Sequence, residues 1–200
     1  MFWPRGTVQL ISAVKVPTVN TRSAFVLDTR EVGRRPGLRK DYVRQLSAPA
    51  LLGLDMIGVP EGTPLELSVR LESVTEGVLA TGRVTGELHG ECGRCLSDFT
   101  EPLDVDFVEL YAYPNSATDV TTDDEEVGRL KGDHLDLEPV VRDVVVLSLP
   151  LTPLCGPDCQ GLCPGCGERL DDLPADHSHT QIDPRWAALT ERFGSVESTD

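Results

Sequence analysis

Leu65-Glu66-Leu67-Ser68-Val69-Arg70-Leu71-Glu72, the pair Glu76-Gly77, and Val78-Leu79-Ala80-Thr81-Gly82-Arg83-Val84-Thr85-Gly86-Glu87-Leu88-His89 form the stretch on which the fold turns. Leu65, Leu67, Val69 and Leu71 alternate with polar residues, the period of two that gives a strand one buried and one wet face. Val78, Ala80, Val84 and Leu88 repeat the pattern opposite Thr81, Arg83, Thr85, Glu87 and His89. Glu76-Gly77 supplies the turn, so the two runs are predicted to pair as an antiparallel hairpin. A third strand begins near Phe99 and places Leu103, Val105 and Phe107 inward. Its apolar phase then shifts to Val108 and Leu110, which predicts a β-bulge or a change of face at a sheet edge.

Outward from this strand core of about residues 65–113 the signals weaken. Ala24 to Leu27 reads as a short apolar strand, and residues 1–23 as a loose extension. Gly33-Arg34-Arg35-Pro36-Gly37-Leu38-Arg39-Lys40 is too rich in Gly and Pro for a helix interior, so it is expected as a basic loop, with a short helix over Asp41 to Leu46. Residues 115–128 are polar and acidic, with too little apolar surface to offset their ordering entropy, and are expected as a mobile loop. Leu137, Val140, Val141, Val144 and Val145 fit a helical stripe over about 137–149, with Asp136 as cap, Pro139 in the first turn and Pro150 beyond the end. Their β-branched content is a strand signal, and the spacing is preferred over it. Asp183, Pro184, Trp186, Leu189, Phe193 and Gly194 specify a C-terminal amphipathic helix over about 184–193, with 194–200 as a tail. The expected class is α+β: an antiparallel β-meander with a few short helices and a Cys-rich knob, in a single domain over 24–193.

The 200 residues carry a formal charge of −15, unevenly spread. Residues 1–50 hold nine basic and three acidic side chains, +6; residues 51–200 hold nine basic and thirty acidic, −21. Such an acidic surface argues against general nucleic-acid binding while leaving room for a basic arm. The longest apolar run, Val144 to Leu149, falls far short of the roughly 18 residues of a membrane span. Met1 to Pro17 has no signal-peptide pattern. A soluble cytoplasmic protein with reduced thiols is expected.

All six cysteines fall in two groups, Cys92-x2-Cys95 and Cys155-x3-Cys159-x3-Cys163-x2-Cys166. In a reducing compartment this spacing points to a structural Zn2+. The local set Cys155, Cys159, Cys163 and Cys166 is preferred because a twelve-residue span costs little to close. The alternative set joins Cys92 and Cys95 to Cys163 and Cys166. His177 and His179 are potential replacements, although an Asp-His-Ser-His run is more usually solvated loop; His89 and His134 have no evident partner. Cys95 leads into a strand, not a helix, so Cys92 lacks the dipole that activates a redox thiol. An iron-sulfur cluster would use the same ligands. There is no GxSxG, phosphate-binding glycine loop or HExxH, and no catalytic residue is indicated.

Phe25 to Gly37, Glu72 to Gly82, Glu91-Cys92-Gly93-Arg94-Cys95-Leu96, Gly161-Leu162-Cys163-Pro164-Gly165-Cys166-Gly167 and Asp183-Pro184-Arg185-Trp186-Ala187-Ala188-Leu189 together resemble the YceD family in its high-GC Gram-positive form. Its members are called large ribosomal RNA subunit accumulation proteins. The resemblance covers roughly 24–193 and carries over at Cys92, Arg94, Cys95, Leu96, Cys155, Cys159, Cys163, Cys166 and Gly167. It implies a cytosolic, non-enzymatic factor for accumulation or assembly of the large-subunit ribosomal RNA. Family genes often neighbour the gene for a small large-subunit ribosomal protein. With the charge pattern it suggests that Arg34, Arg35, Arg39 and Lys40, joined by Arg94, contact phosphates of ribosomal RNA or a pre-ribosomal particle. The competing expectation is an acidic adaptor holding a basic ribosomal protein; an RNA-processing enzyme comes third.

Overall fold

The computed structural model describes residues 23–123, 126–179 and 185. In chain order the strands are β1 (Val26–Asp28), β2 (Arg39–Ser47), β3 (Leu52–Leu54), β4 (Ile57–Val59), β5 (Pro64–Ser73), β6 (Gly77–Glu91) and β7 (Asp98–Ala112). Helix α1 (Ala117–Thr121), β8 (Gly128–Arg129), β9 (His134–Asp136), α2 (Glu138–Ser148) and a single 3-10 turn at Leu170–Asp172 follow. The class is α+β, dominated by one seven-stranded sheet that is antiparallel except where the short β8 runs parallel to β7. The predicted N-terminal extension (apart from Ser23), C-terminal helix and tail lie outside the described residues, except Arg185.

The 15-residue β6 organises the sheet. One edge pairs along its whole length with β7, and the other pairs first with β5 and then, beyond it, with β4. Val78, Ala80, Val84 and Leu88 are buried, as are Leu65, Leu67, Val69 and Leu71 opposite them. The alternation thus reports the face that joins the main core. Helix α2 buries Val141 and Val145 in the same core and packs on β7 and β3. The Asp136 carboxylate accepts from the Glu138 N–H at 3.0 Å, satisfying an otherwise unpaired first-turn donor.

Three expectations change. The segment 41–46 is strand, not helix: β2 pairs with β5 from Arg39 opposite Glu72 to Ser47 opposite Pro64. Its charged residues conceal a period but fit their partners across the ladder, with Arg70 Nε 2.7 Å from Asp41 and Gln45 bonded to Glu66. Charge along such an outer strand also deters further pairing. The β6–β7 register runs unbroken from Gly77 opposite Ala112 to Glu91 opposite Asp98, so there is no bulge. Phe107 and Tyr111 keep the buried phase, while Val108 simply faces outward, 64% exposed. Finally, the acidic stretch after Pro114 is not wholly a loop. Ser116 Oγ caps α1 by accepting from Asp119 N–H, and the Arg129 guanidinium ties Asp119 to the carbonyl of Thr122. One arginine thereby supplies the ordering that apolar burial does not.

Candidate metal centres and basic turn

At the far end of β6 and β7 the chain makes a tight knuckle, Cys92 to Cys95. Cys92 N–H donates to Ser97 O at 2.9 Å, Leu96 N–H donates to Cys92 O at 2.9 Å, and Leu96 sits in the left-handed region at φ 57°. Cys163 to Cys166 repeats this pattern: Cys163 N–H to Glu168 O at 2.7 Å, Gly167 N–H to Cys163 O at 2.8 Å, and Gly167 at φ 76°. Backbone N–H groups at each turn point at the first sulfur and stabilise its thiolate. The Cys95 backbone lowers Cys92 to about 6, and those of Cys166 and Gly165 lower Cys163 to about 6.

Each knuckle gathers its own second pair of donors. Cys92, Cys95, Cys155 and Cys159 place their sulfurs within 4.8 Å of one another, as do the donor atoms of Cys163, Cys166, His177 and His179. The set preferred from sequence is therefore split two and two, and the alternative set is divided as well. His177 and His179 lie on an irregular stretch, His179 exposed, and bring their ring nitrogens to the second knuckle. The distances are those of a coordination sphere. Zn–S bonds of about 2.3 Å at tetrahedral angles put sulfurs roughly 3.8 Å apart, and S and N about 3.5 Å apart. Cys92 and Cys159 sulfurs are 3.8 Å apart and those of Cys95 and Cys155 3.6 Å. His177 Nε2 lies 3.4 Å from Cys163 Sγ and 3.5 Å from Cys166 Sγ. These separations are far longer than the 2.05 Å of a disulfide.

The first cluster is largely enclosed: Cys92, Cys95 and Cys159 are buried, with Phe99, Leu154 and Leu162 packed around them. Hydrogen bonds from its thiol to Cys95 and Cys159 push Cys155 up to about 12, and burial raises Cys159. Four sulfurs this close cannot all ionise without a cation among them, and this donor set could hold a soft divalent ion that would supply that charge. Arg94 belongs to this cluster's frame. Its N–H points at Cys92 Sγ at 3.4 Å, and its guanidinium donates to Cys159 O at 2.9 Å.

The remaining basic residues cluster elsewhere. Arg34 and Arg35 project from the turn before β2 and Arg39 begins that strand; all three are exposed, and among the described residues none makes an ion pair. Lys40 differs, being bonded to the Glu31 carboxylate and lying over the Tyr42 ring at 5.1 Å. His89 has a partner too, Glu87 at 3.0 Å.

A family model described as "Large ribosomal RNA subunit accumulation protein YceD" matches residues 80–191, a span that holds all eight clustered Cys and His residues. The chain belongs to the YceD family. Membership implies a role in accumulation of the large-subunit ribosomal RNA, and the family is not known as one of enzymes. The uncharacterized protein Rv2926c of Mycobacterium tuberculosis is 44% identical over 197 residues, 98% of this chain and 95% of that protein. The uncharacterized protein ML1660 of Mycobacterium leprae is 41% identical over 84% of this chain and 77% of its own length. YlbN of Bacillus subtilis, also uncharacterized, is 25% identical over 64% of this chain and 73% of its own. No solved structure matches the chain. No described helix is long and apolar enough to cross a membrane.

Proposed function

We infer that this YceD-family chain is a cytoplasmic, non-enzymatic factor that binds large-subunit ribosomal RNA or a pre-ribosomal particle through its basic turn. The observation that carries the reading is the state of Arg34, Arg35 and Arg39. In a chain of charge −15, Arg30, Lys40, Arg70, Arg83, Arg129 and Arg142 are all engaged by carboxylates, whereas these three, like Arg44 further along β2, are exposed and make no ion pair among the described residues. The turn is also held in place. Tyr113 OH donates to Gly33 O at 3.0 Å, Gly37 N–H donates to Ser73 O at 2.9 Å, and Arg34 lies over the Tyr113 ring at 5.0 Å. A preset array of guanidinium groups binds phosphates with less ordering cost than a loose one. Lys40 and Arg94 contribute less, the first being neutralised by Glu31 and the second committed partly to Cys159.

In this reading a Zn2+ on Cys92, Cys95, Cys155 and Cys159 has a structural task. It ties the end of the β6–β7 hairpin to the segment after α2 and takes no part in RNA chemistry. Arg34, Arg35 and Arg39 replaced together by Ala would weaken binding to large-subunit ribosomal RNA and make the slope of log K against log salt shallower by about 2, at roughly 0.7–0.9 per phosphate contact. Equal affinity and equal slope in the variant would remove the turn from the account.

One observation favours a second reading. A groove of about 830 Å3 between β7 and α2 is lined by apolar side chains such as Val108, Val144 and Leu147 and by more acidic residues, Glu109, Asp119, Asp136 and Asp143 among them, than basic ones, Arg129 and Lys131. It suits a basic, partly apolar segment such as a ribosomal protein carries. Crosslinking in cells, scored for RNA against protein, separates the two readings.

A further inference from the structure

Beyond the RNA-binding reading and independent of it, we propose that the chain holds two divalent ions of the zinc class, the second on Cys163, Cys166, His177 and His179. The argument starts from ligand number: six cysteines and these two histidines make eight donors, and the fold sorts them into two sets of four with no donor shared. The second set is built as the first is. Its knuckle has the same two backbone hydrogen bonds and the same left-handed exit residue, here Gly167 at φ 76°.

The histidines are positioned by more than proximity. The two rings stand edge to face, 4.6 Å between centroids and at 81°, so that neither stacks flat on the other. His179 lies directly against Gly165, where an added Cβ would come within 2.4 Å of the ring. A glycine inside the knuckle is thus what lets the fourth ligand reach the site. Surrounding the set, Leu162 bridges to Arg169 and Leu170 N–H donates to Gly161 O at 2.9 Å, so residues 161–170 close on themselves. The second ion holds residues 161–179 as a unit and leaves the sheet to the first.

The two sites differ in chemistry and access. Four sulfurs, three of them buried, hold the first ion; two sulfurs and two imidazoles hold the second, with Cys166 and His179 exposed. A competing chelator therefore removes the second ion first. The test uses the full chain loaded with Zn2+ and, in parallel, with 113Cd2+. Elemental analysis is expected to give two ions per chain, one after His177→Ala with His179→Ala. Cadmium NMR is expected to give two resonances, an all-sulfur one that survives this pair of substitutions and a mixed sulfur-nitrogen one that does not. Gly165→Ala keeps all eight donors and is expected to lose the mixed resonance alone, which separates ligation from gross unfolding. A single ion in the unaltered chain, or two ions retained by the histidine variant, overturns the proposal.

Discussion

Removing the second half of the first cluster, Cys155→Ala with Cys159→Ala, should destabilise the whole sheet by an amount that follows from chain connectivity. Cys95 and Cys155 are 60 residues apart in sequence yet their sulfurs are 3.6 Å apart. In the unfolded chain the same four sulfurs must be collected across that loop, at a cost of about 4 kcal/mol in closure entropy. In the folded chain β7 and α2 have already brought them together. A metal ion therefore favours the folded state by about that amount, close to a thousandfold in affinity. At roughly 2 kcal/mol per molar urea, the midpoint of the zinc-loaded variant should fall by about 2 M. The same fall should follow from stripping the unaltered protein with a strong chelator, and the chelator should then do little to the variant. Circular dichroism of the sheet during urea titration reads both. His177→Ala supplies the contrast, because Cys166 and His177 span only 11 residues outside the sheet, and the global midpoint should hold. A double cysteine variant as stable as its parent, or a chelator effect of equal size in both, would refute the reasoning.

Leu96 pays a steric cost at φ 57° with its side chain 57% exposed, so Leu96→Gly should raise stability by roughly 0.5–1 kcal/mol while leaving metal content unchanged. Thermal unfolding of the loaded protein measures this. Asp28 is held near 2 by the hydrogen bond and charge of Arg30. Its folded value lies below its unfolded one, so the stabilisation is present above about pH 4 and disappears as pH falls through about 2. Both side chains are well exposed, and solvent screening limits the effect to a few tenths of a kcal/mol. Asp28→Asn should therefore lower the urea midpoint slightly at neutral pH, with the difference shrinking below pH 4.

The meander was legible because Leu65 to Leu71 and Val78 to Leu88 alternate, and burial of one face leaves a mark of period two. Strand β2 was not legible. Its residues bury little, and what selects them is the charge and amide content of β5, as Asp41 beside Arg70 and Gln45 beside Glu66 show. Val108 misled for the opposite reason: an apolar residue on an outward face carries the signal of a core without the burial. At the cysteines, ligand chemistry was readable but grouping was not. Short loops favour local closure, yet the sheet delivers Cys92 and Cys95 to Cys155 and Cys159 at no further entropic cost. The available signal was arithmetic: two CxxC knuckles, two further cysteines and two histidines make two complete sets of four. Arg34, Arg35 and Arg39 were visible as a basic run, while the engagement of Lys40 by Glu31 and of Arg94 by Cys159 O required coordinates.

X-ray absorption at the zinc edge, recorded on the His177→Ala/His179→Ala chain so that only the first site is filled, tests the central arrangement most directly. Four sulfur neighbours at about 2.3 Å are expected. A shell containing nitrogen or oxygen, or a folded chain that takes up no zinc when it is supplied, would contradict it.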